Sequence, residues 1–177
     1  MTEDQERTSL IEALKRAEEA RSKSGLTILG GGLGVEYRKR GVSMGKFGEV
    51  AIEATCLLNS AEVSDPREAW HSAAQALFSY STSMMRKHCP RNAYLGLCEV
   101  GLVKGAPRGP WITSDDNKLY AVRAVQELRI DRRWLDRPKI HLWRLVSRSE
   151  IKAQNNQIDV VFALWTKGLI TQEPISE

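Results

Sequence analysis

The sequence predicts an all-α protein whose main part is a compact bundle of six or seven helices. Apolar residues recur at steps of three and four over most of residues 47–165, which is the spacing of one helix face. A second observation is the phrase Leu-x-x-x-Gly-Leu-Val/Ile, which occurs at residues 97–103 and again at 164–170. The phrase is typical of a helix end, because its glycine takes the left-handed conformation and the next apolar residue folds back. We therefore expect Gly101 and Gly168 to have positive φ.

Residues 1–43 are predicted to be an N-terminal helix followed by a Gly-rich linker. Four apolar residues share one stripe of a helix expected from about residue 4 to 23: Leu10, Ile11, Leu14 and Ala17. The glycine cluster at residues 30–34 misses the phosphate-binding pattern Gly-x-Gly-x-x-Gly, because Val35 stands at its last position. A flexible linker is the favoured interpretation, and phosphate binding is the less favoured one.

The helical domain is predicted at residues 44–172, with a polar tail at residues 173–177. Its helices are expected at about these residues: 46–59, 66–78, 90–100, 115–128, 138–146 and 158–167. Asp65 and Thr113-Ser114 are the predicted N-caps of two of them. In the helix after Pro138, the residues Ile140, Trp143 and Val146 are expected to face the core.

A turn-rich loop at residues 104–110 is the one place where the sequence leaves room for β-structure. Leu102-Val103 and Trp111-Ile112 flank this loop and are candidates to pair as a short hairpin over about 102–112. Pro110 would restrict such a hairpin to an edge, since it has no N–H to donate. A helix followed by strand, loop and strand is also the order of a winged helix, although many capped helices share it.

Composition restricts the class of protein. Apolar residues make up 42% of the chain and charged residues 27%, which is ordinary for a folded domain. No apolar run approaches the roughly 20 residues of a membrane helix, so we expect no membrane partner. The acidic start at Met1–Asp4 lacks the features of a secretion signal, which predicts a cytoplasmic protein. The three cysteines fit buried thiols in a reducing compartment.

Several short motifs within the helical domain resemble a small bacterial protein family of unknown function. They are Gly45-Lys46-Phe47-Gly48-Glu49-Val50-Ala51, Cys89-Pro90 with Leu95-Gly96-Leu97-Cys98-Glu99, Gly101-Leu102-Val103-Lys104-Gly105, Thr113-Ser114 with Asn117-Lys118 and Tyr120-Ala121, and Asp159-Val160-Val161 with Ala163-Leu164-Trp165. The resemblance covers about Met44 to Ile170. It implies that the first 43 residues are an extension, and it carries over no activity and no catalytic residues.

The strongest functional signal is a stretch in which cations alternate with aromatic rings. From Lys118 to Lys152 there are ten basic and four acidic residues. Arginine pairs with phosphates and tryptophan stacks on unpaired bases, so the stretch predicts contact with DNA or RNA. The candidate nucleic-acid-binding residues are Arg123, Arg132, Arg133, Arg137, His141, Arg144 and Arg148. The alternative is an arginine-rich face that is merely solvated.

Other chemistry is weakly indicated. Cys89 is expected near a helix N-terminus beside His88, an environment that favours a thiolate, but no third catalytic member is identifiable. A zinc site lacks the close ligand pairs that such sites use. We therefore predict no catalytic residues, no metal site and no cofactor.

The leading prediction is a non-enzymatic binding or regulatory module that contacts nucleic acid through a basic Arg/Lys face. One alternative is a protein-interaction module without nucleic acid, in which the N-terminal helix mediates homo-oligomerisation. The other is a small enzyme that uses Cys89. Salt-dependent binding to DNA or RNA would favour the nucleic-acid module. A concentration-dependent size in solution would favour the protein-interaction module, and a closed polar pocket around the thiol would favour the enzyme.

Overall fold

The computed structural model describes residues 44–79, 81–112, 115–149 and 151–172. Six helices of nine or more residues lie in this part of the chain: α1 Gly45–Asn59, α2 Pro66–Leu77, α3 His88–Glu99, α4 Asp115–Ile130, α5 Lys139–Ser147 and α6 Gln157–Thr166. A single helical turn, Thr82–Met85, precedes α3, and a 3₁₀ helix, Arg132–Asp136, connects α4 to α5. The all-α prediction is confirmed. The predicted N-terminal helix, Gly-rich linker, Thr113-Ser114 cap and polar tail lie outside the described residues.

Helix α6 is the centre of the bundle. Every residue from Gln157 to Leu164 is buried, as expected for a helix that is apolar on most of its circumference. It packs against α1, α3, α4 and α5. Gly48 of α1 permits the close approach to α6, since a Cβ at this position would lie 2.7 Å from the Cβ of Ala163. The remaining core comes from the inner faces of the surrounding helices.

The two copies of the repeated phrase end α3 and α6 in the same way. Gly101 has a φ of 73° and Gly168 a φ of 68°, which confirms the predicted left-handed caps. The N–H of Leu102 donates to the carbonyl of Leu97 at 2.8 Å, and the N–H of Leu169 donates to the carbonyl of Leu164 at 2.9 Å. Both bonds are of the Schellman type, in which the residue after the glycine closes the last turn.

The residues that follow these two caps pair with each other, which corrects the candidate hairpin over about 102–112. Val103 forms an antiparallel bridge with Ile170. Two backbone bonds flank the bridge, from the N–H of Lys104 to the carbonyl of Leu169 and from the N–H of Thr171 to the carbonyl of Leu102, both at 2.9 Å. Because Val103 is bound to Ile170, the strand order of a winged helix is not formed in residues 102–112.

The orientation of α5 also differs in one position from the prediction. Trp143 and Val146 are buried as expected, but Ile140 is 41% exposed, and Leu142 takes an inward place. Ile140 lies about 160° around the helix from Leu142, so an orientation that buries Leu142 turns Ile140 towards solvent. The outward side of α5 therefore carries an apolar residue among its cations.

Candidate nucleic-acid interface

Six of the seven residues predicted to bind nucleic acid lie at the surface. We call this group the cationic surface: Arg132, Arg133, Arg137, His141, Arg144 and Arg148. The seventh residue, Arg123, is half-buried on α4, and its Nη1 donates to the carbonyl of Val146 at 3.2 Å. Arg123 thus ties α4 to the last turn of α5 instead of projecting with the other six.

The 3₁₀ helix holds the first half of the cationic surface around one carboxylate. Asp131 caps this helix, because its Oδ1 accepts the backbone N–H of Arg133 at 3.0 Å. The same oxygen accepts Nε of Arg133 at 2.9 Å, and Oδ2 lies 3.7 Å from Nη2 of Arg137. The hydrogen bond from Arg133 lowers the pKa of Asp131, and Asp131 in turn raises the pKa of Arg133. The ion pair between Asp131 and Arg133 therefore favours the charged form of both groups.

Helix α5 carries the second half as a stripe. His141, Arg144 and Arg148 follow one another at steps of three and four residues, the spacing of one helix side, and Arg148 is the C-cap of α5. All three are exposed, whereas Leu142, Trp143 and Val146 on the other side belong to the core. The helix contains no acidic residue between Lys139 and Ser147. This outward side is therefore positively charged along its length.

The other five basic residues of the same stretch fix the fold. We call them the anchored cations: Lys118, Arg123, Arg129, Lys139 and Lys152. In addition to the Arg123 bond described above, Nη2 of Arg129 donates to the carbonyl of Thr171 at 2.9 Å. Nζ of Lys152 forms an ion pair with Oδ2 of Asp116 at 3.0 Å. Each of these bonds connects parts of the chain that are distant in sequence.

Glu99 is the partner of Lys118 and organises the end of α3. Its Oε1 accepts Nζ of Lys118 at 2.8 Å, and its Oε2 accepts the backbone N–H groups of Trp111 and Ile112 at 2.9 and 3.3 Å. Burial would raise the pKa of Glu99, but the hydrogen bonds from Lys118, Ile112 and Trp111 outweigh it and lower that pKa. The backbone N–H groups of Trp111 and Ile112, the second predicted hairpin strand, therefore donate to a side-chain carboxylate instead of to a partner strand.

Asp159 is the partner of Lys139 and the most buried carboxylate of the anchored set. Its side chain is 8% exposed and forms an ion pair with Nζ of Lys139. Nδ2 of Asn156 donates to its Oδ2 at 3.1 Å, and Nε2 of Gln154 does so at 3.4 Å. The pair joins the start of α5 to the first turn of α6, where a negative charge also matches the helix dipole.

Cys89 is the residue on which the small-enzyme alternative depends. Cys89 is half-buried in the first turn of α3, and the neighbouring His88 is exposed. Burial raises the pKa of Cys98, another thiol of this helix, which keeps that group protonated. Within the described ranges, no group of three or more His, Cys, Asp or Glu side chains is placed to hold a metal ion.

The fold and the surface together define an α-helical domain with a buried central helix and a cationic outer side. A model of a family of unknown function, DUF6979, matches residues 44–171, and the chain belongs to this family. The match agrees with the resemblance derived from the sequence motifs. No curated protein and no solved structure matches the chain. Among the described helices, none has both the length and the apolar character needed to cross a membrane.

Proposed function

We propose that this protein is a non-enzymatic binding module that contacts nucleic acid through the cationic surface. The observation that carries the proposal is the exposed stripe of α5, whose cations project outward while the opposite side of the helix is packed in the core. Arginine suits this role, because its planar guanidinium binds phosphate oxygens in a bidentate manner. The cytoplasmic location stays a prediction.

The dimensions of the stripe fit a nucleic-acid strand. From His141 to Arg148 a helix rises about 10 Å, since each residue adds about 1.5 Å. Phosphates of one DNA strand are spaced about 3.4 Å along the axis, so the stripe spans about three of them. Arg132, an exposed cation of the 3₁₀ helix that precedes α5, adds a further positive charge. Contacts of this kind depend little on base sequence.

The test is a fluorescence-anisotropy titration of labelled duplex DNA, single-stranded DNA and single-stranded RNA. With about four phosphates neutralised, affinity should fall by roughly two orders of magnitude between about 50 and 200 mM salt. Arg144→Gln should lower the slope of log affinity against log salt by about one. Absence of binding to every probe at about 50 mM salt would overturn the proposal.

A second candidate function, protein contact without nucleic acid, is favoured by large apolar residues that are exposed at the surface. Ile140 is 41% exposed and Leu145 46% exposed, both on α5. Ile130, at the end of α4, is 79% exposed. Sedimentation over a range of protein concentrations tests this function. Two results together would favour protein contact over the first proposal. The protein would self-associate in a way that Ile140→Gln and Leu145→Gln abolish, and it would bind no nucleic acid.

A further inference from the structure

Trp134 and Arg137 form a stacked pair within the cationic surface. The Cζ atom of Arg137 lies 4.5 Å from the centre of the Trp134 ring, which is the arrangement of a cation–π contact. Trp134 is half-buried and packs against the core, so its ring has a fixed position. The Arg137 side chain is 43% exposed. One side of the guanidinium therefore rests on a fixed ring while the group remains accessible to solvent.

Asp131 restrains this stacked pair from the side. Its Oδ2 lies 3.7 Å from Nη2 of Arg137, and its Oδ1 caps the 3₁₀ helix that carries Trp134. A guanidinium that lies over a ring and beside a carboxylate loses little further conformational freedom when a ligand stacks on it. Preorganisation of this kind increases affinity, because the ordering has already occurred in the free protein.

We infer that Trp134 and Arg137 form a stacking platform for one unpaired base, so that the ligand of the cationic surface is a single-stranded nucleic acid. The inference rests on the proposed function and names its substrate class. Unpaired bases stack on aromatic rings and on guanidinium planes, and such stacking tolerates any base. In a duplex the base faces are covered by their neighbours, so the platform reaches only the bases at the ends. The stripe of α5 contacts the phosphates next to the stacked base.

The test compares three labelled probes of equal length, about 12 nucleotides each: a single strand, a duplex of the same sequence, and a strand whose nucleotides all lack bases. The strand without bases keeps its phosphates, so it separates stacking from charge. The full-length protein should bind the single strand about tenfold more tightly than either of the other two probes.

Two variants that keep the charge sharpen the test. Arg137→Lys replaces the planar guanidinium by an ammonium and should weaken single-strand binding about fivefold, whereas duplex binding should weaken less than twofold because the positive charge is kept. Arg86→Lys is the matched control at an exposed arginine outside the cationic surface and should change neither affinity more than twofold. Melting temperatures of both variants should match that of the wild type, because both side chains are exposed.

The outcomes separate the inference from the proposed function. Equal affinity for the three probes overturns the stacking platform and leaves nucleic-acid binding intact. An Arg137→Lys variant that loses duplex and single-strand binding equally also overturns it, since Arg137 would then be a phosphate contact. Binding of no probe overturns both proposals.

Discussion

The ten basic residues between Lys118 and Lys152 divide into two halves that the sequence does not distinguish. The anchored cations bind carboxylates or backbone carbonyls of other elements, as Lys139 does with Asp159 and Lys118 with Glu99. The five arginines of the cationic surface project from the 3₁₀ helix and α5, and two of them share Asp131. A local excess of positive charge therefore overstates the charge that a ligand can reach, because cations such as Lys118 and Lys139 are about three-quarters buried against their carboxylates.

The largest expected difference between the two halves is at Lys139. Lys139→Met leaves the 8% exposed carboxylate of Asp159 without its counter-charge. We expect the free energy of unfolding to fall by about 3 kcal/mol, since an unpaired buried charge is costly. Urea denaturation measures this change. Lys104→Met, the same replacement at an exposed lysine, should cost less than about 0.5 kcal/mol, and an equal loss in both variants would contradict the division.

Glu99→Gln should have the next largest effect, about 2 kcal/mol at neutral pH, because charge-assisted hydrogen bonds to Lys118 and to two backbone N–H groups are weakened. The folded-state pKa of Glu99 lies below its usual value. Its stabilisation is therefore complete above the unfolded pKa of about 4.3 and is lost as the pH falls through the folded pKa. Thermal unfolding at several pH values should show the gap between wild type and variant closing in acid. Glu49→Gln, the same replacement at an exposed position of α1, is the control and should cost less than about 0.5 kcal/mol at neutral pH.

Arg123 is predicted from the sequence to bind nucleic acid, but the structure places it among the anchored cations. Because Arg123 donates to the carbonyl of Val146, Arg123→Gln should cost about 1 kcal/mol in unfolding free energy. Its affinity for nucleic acid should stay within twofold of the wild type. A loss of affinity as large as that of Arg144→Gln, at unchanged stability, would return Arg123 to the cationic surface.

Arg148 offers the smallest and most specific stability change. It ends α5 in the left-handed conformation, with a φ of 52°, which is unfavourable for a residue with a Cβ. Arg148→Gly should raise the free energy of unfolding by about 0.5 kcal/mol and still weaken nucleic-acid binding. Arg148→Gln retains the backbone strain and should weaken binding without the gain in stability, as denaturation and titration of both variants would show.

The features that were predictable from sequence are those that neighbouring residues determine. The helices follow from local apolar periodicity, and the caps at Gly101 and Gly168 follow from two copies of one phrase. The outward stripe of α5 is equally local, since steps of three and four residues place side chains on one side. The Asp131 cap is also local, because an aspartate at the N-cap typically accepts the backbone N–H two residues later, here that of Arg133.

The features that the sequence did not reveal depend on contacts between distant segments. Val103 pairs with Ile170. Glu99 and Asp159 each pair with a lysine about twenty residues away, and no local sequence pattern indicates these pairings. The exposure of Ile140 depends on which side of α5 meets the core, and Leu142 competes for that side. The division of the basic residues into two halves is likewise a property of tertiary packing.

The central claim is that nucleic-acid binding belongs to the cationic surface and not to the net charge of the chain. The most direct measurement compares the salt dependence of binding for two triple variants that each remove three positive charges. Arg132→Gln/Arg144→Gln/Arg148→Gln alters the cationic surface, and Lys46→Gln/Arg86→Gln/Lys104→Gln alters exposed cations elsewhere on the domain. We predict that the first lowers the slope of log affinity against log salt by about two to three and that the second leaves it unchanged. Equal changes in the two slopes would contradict the claim.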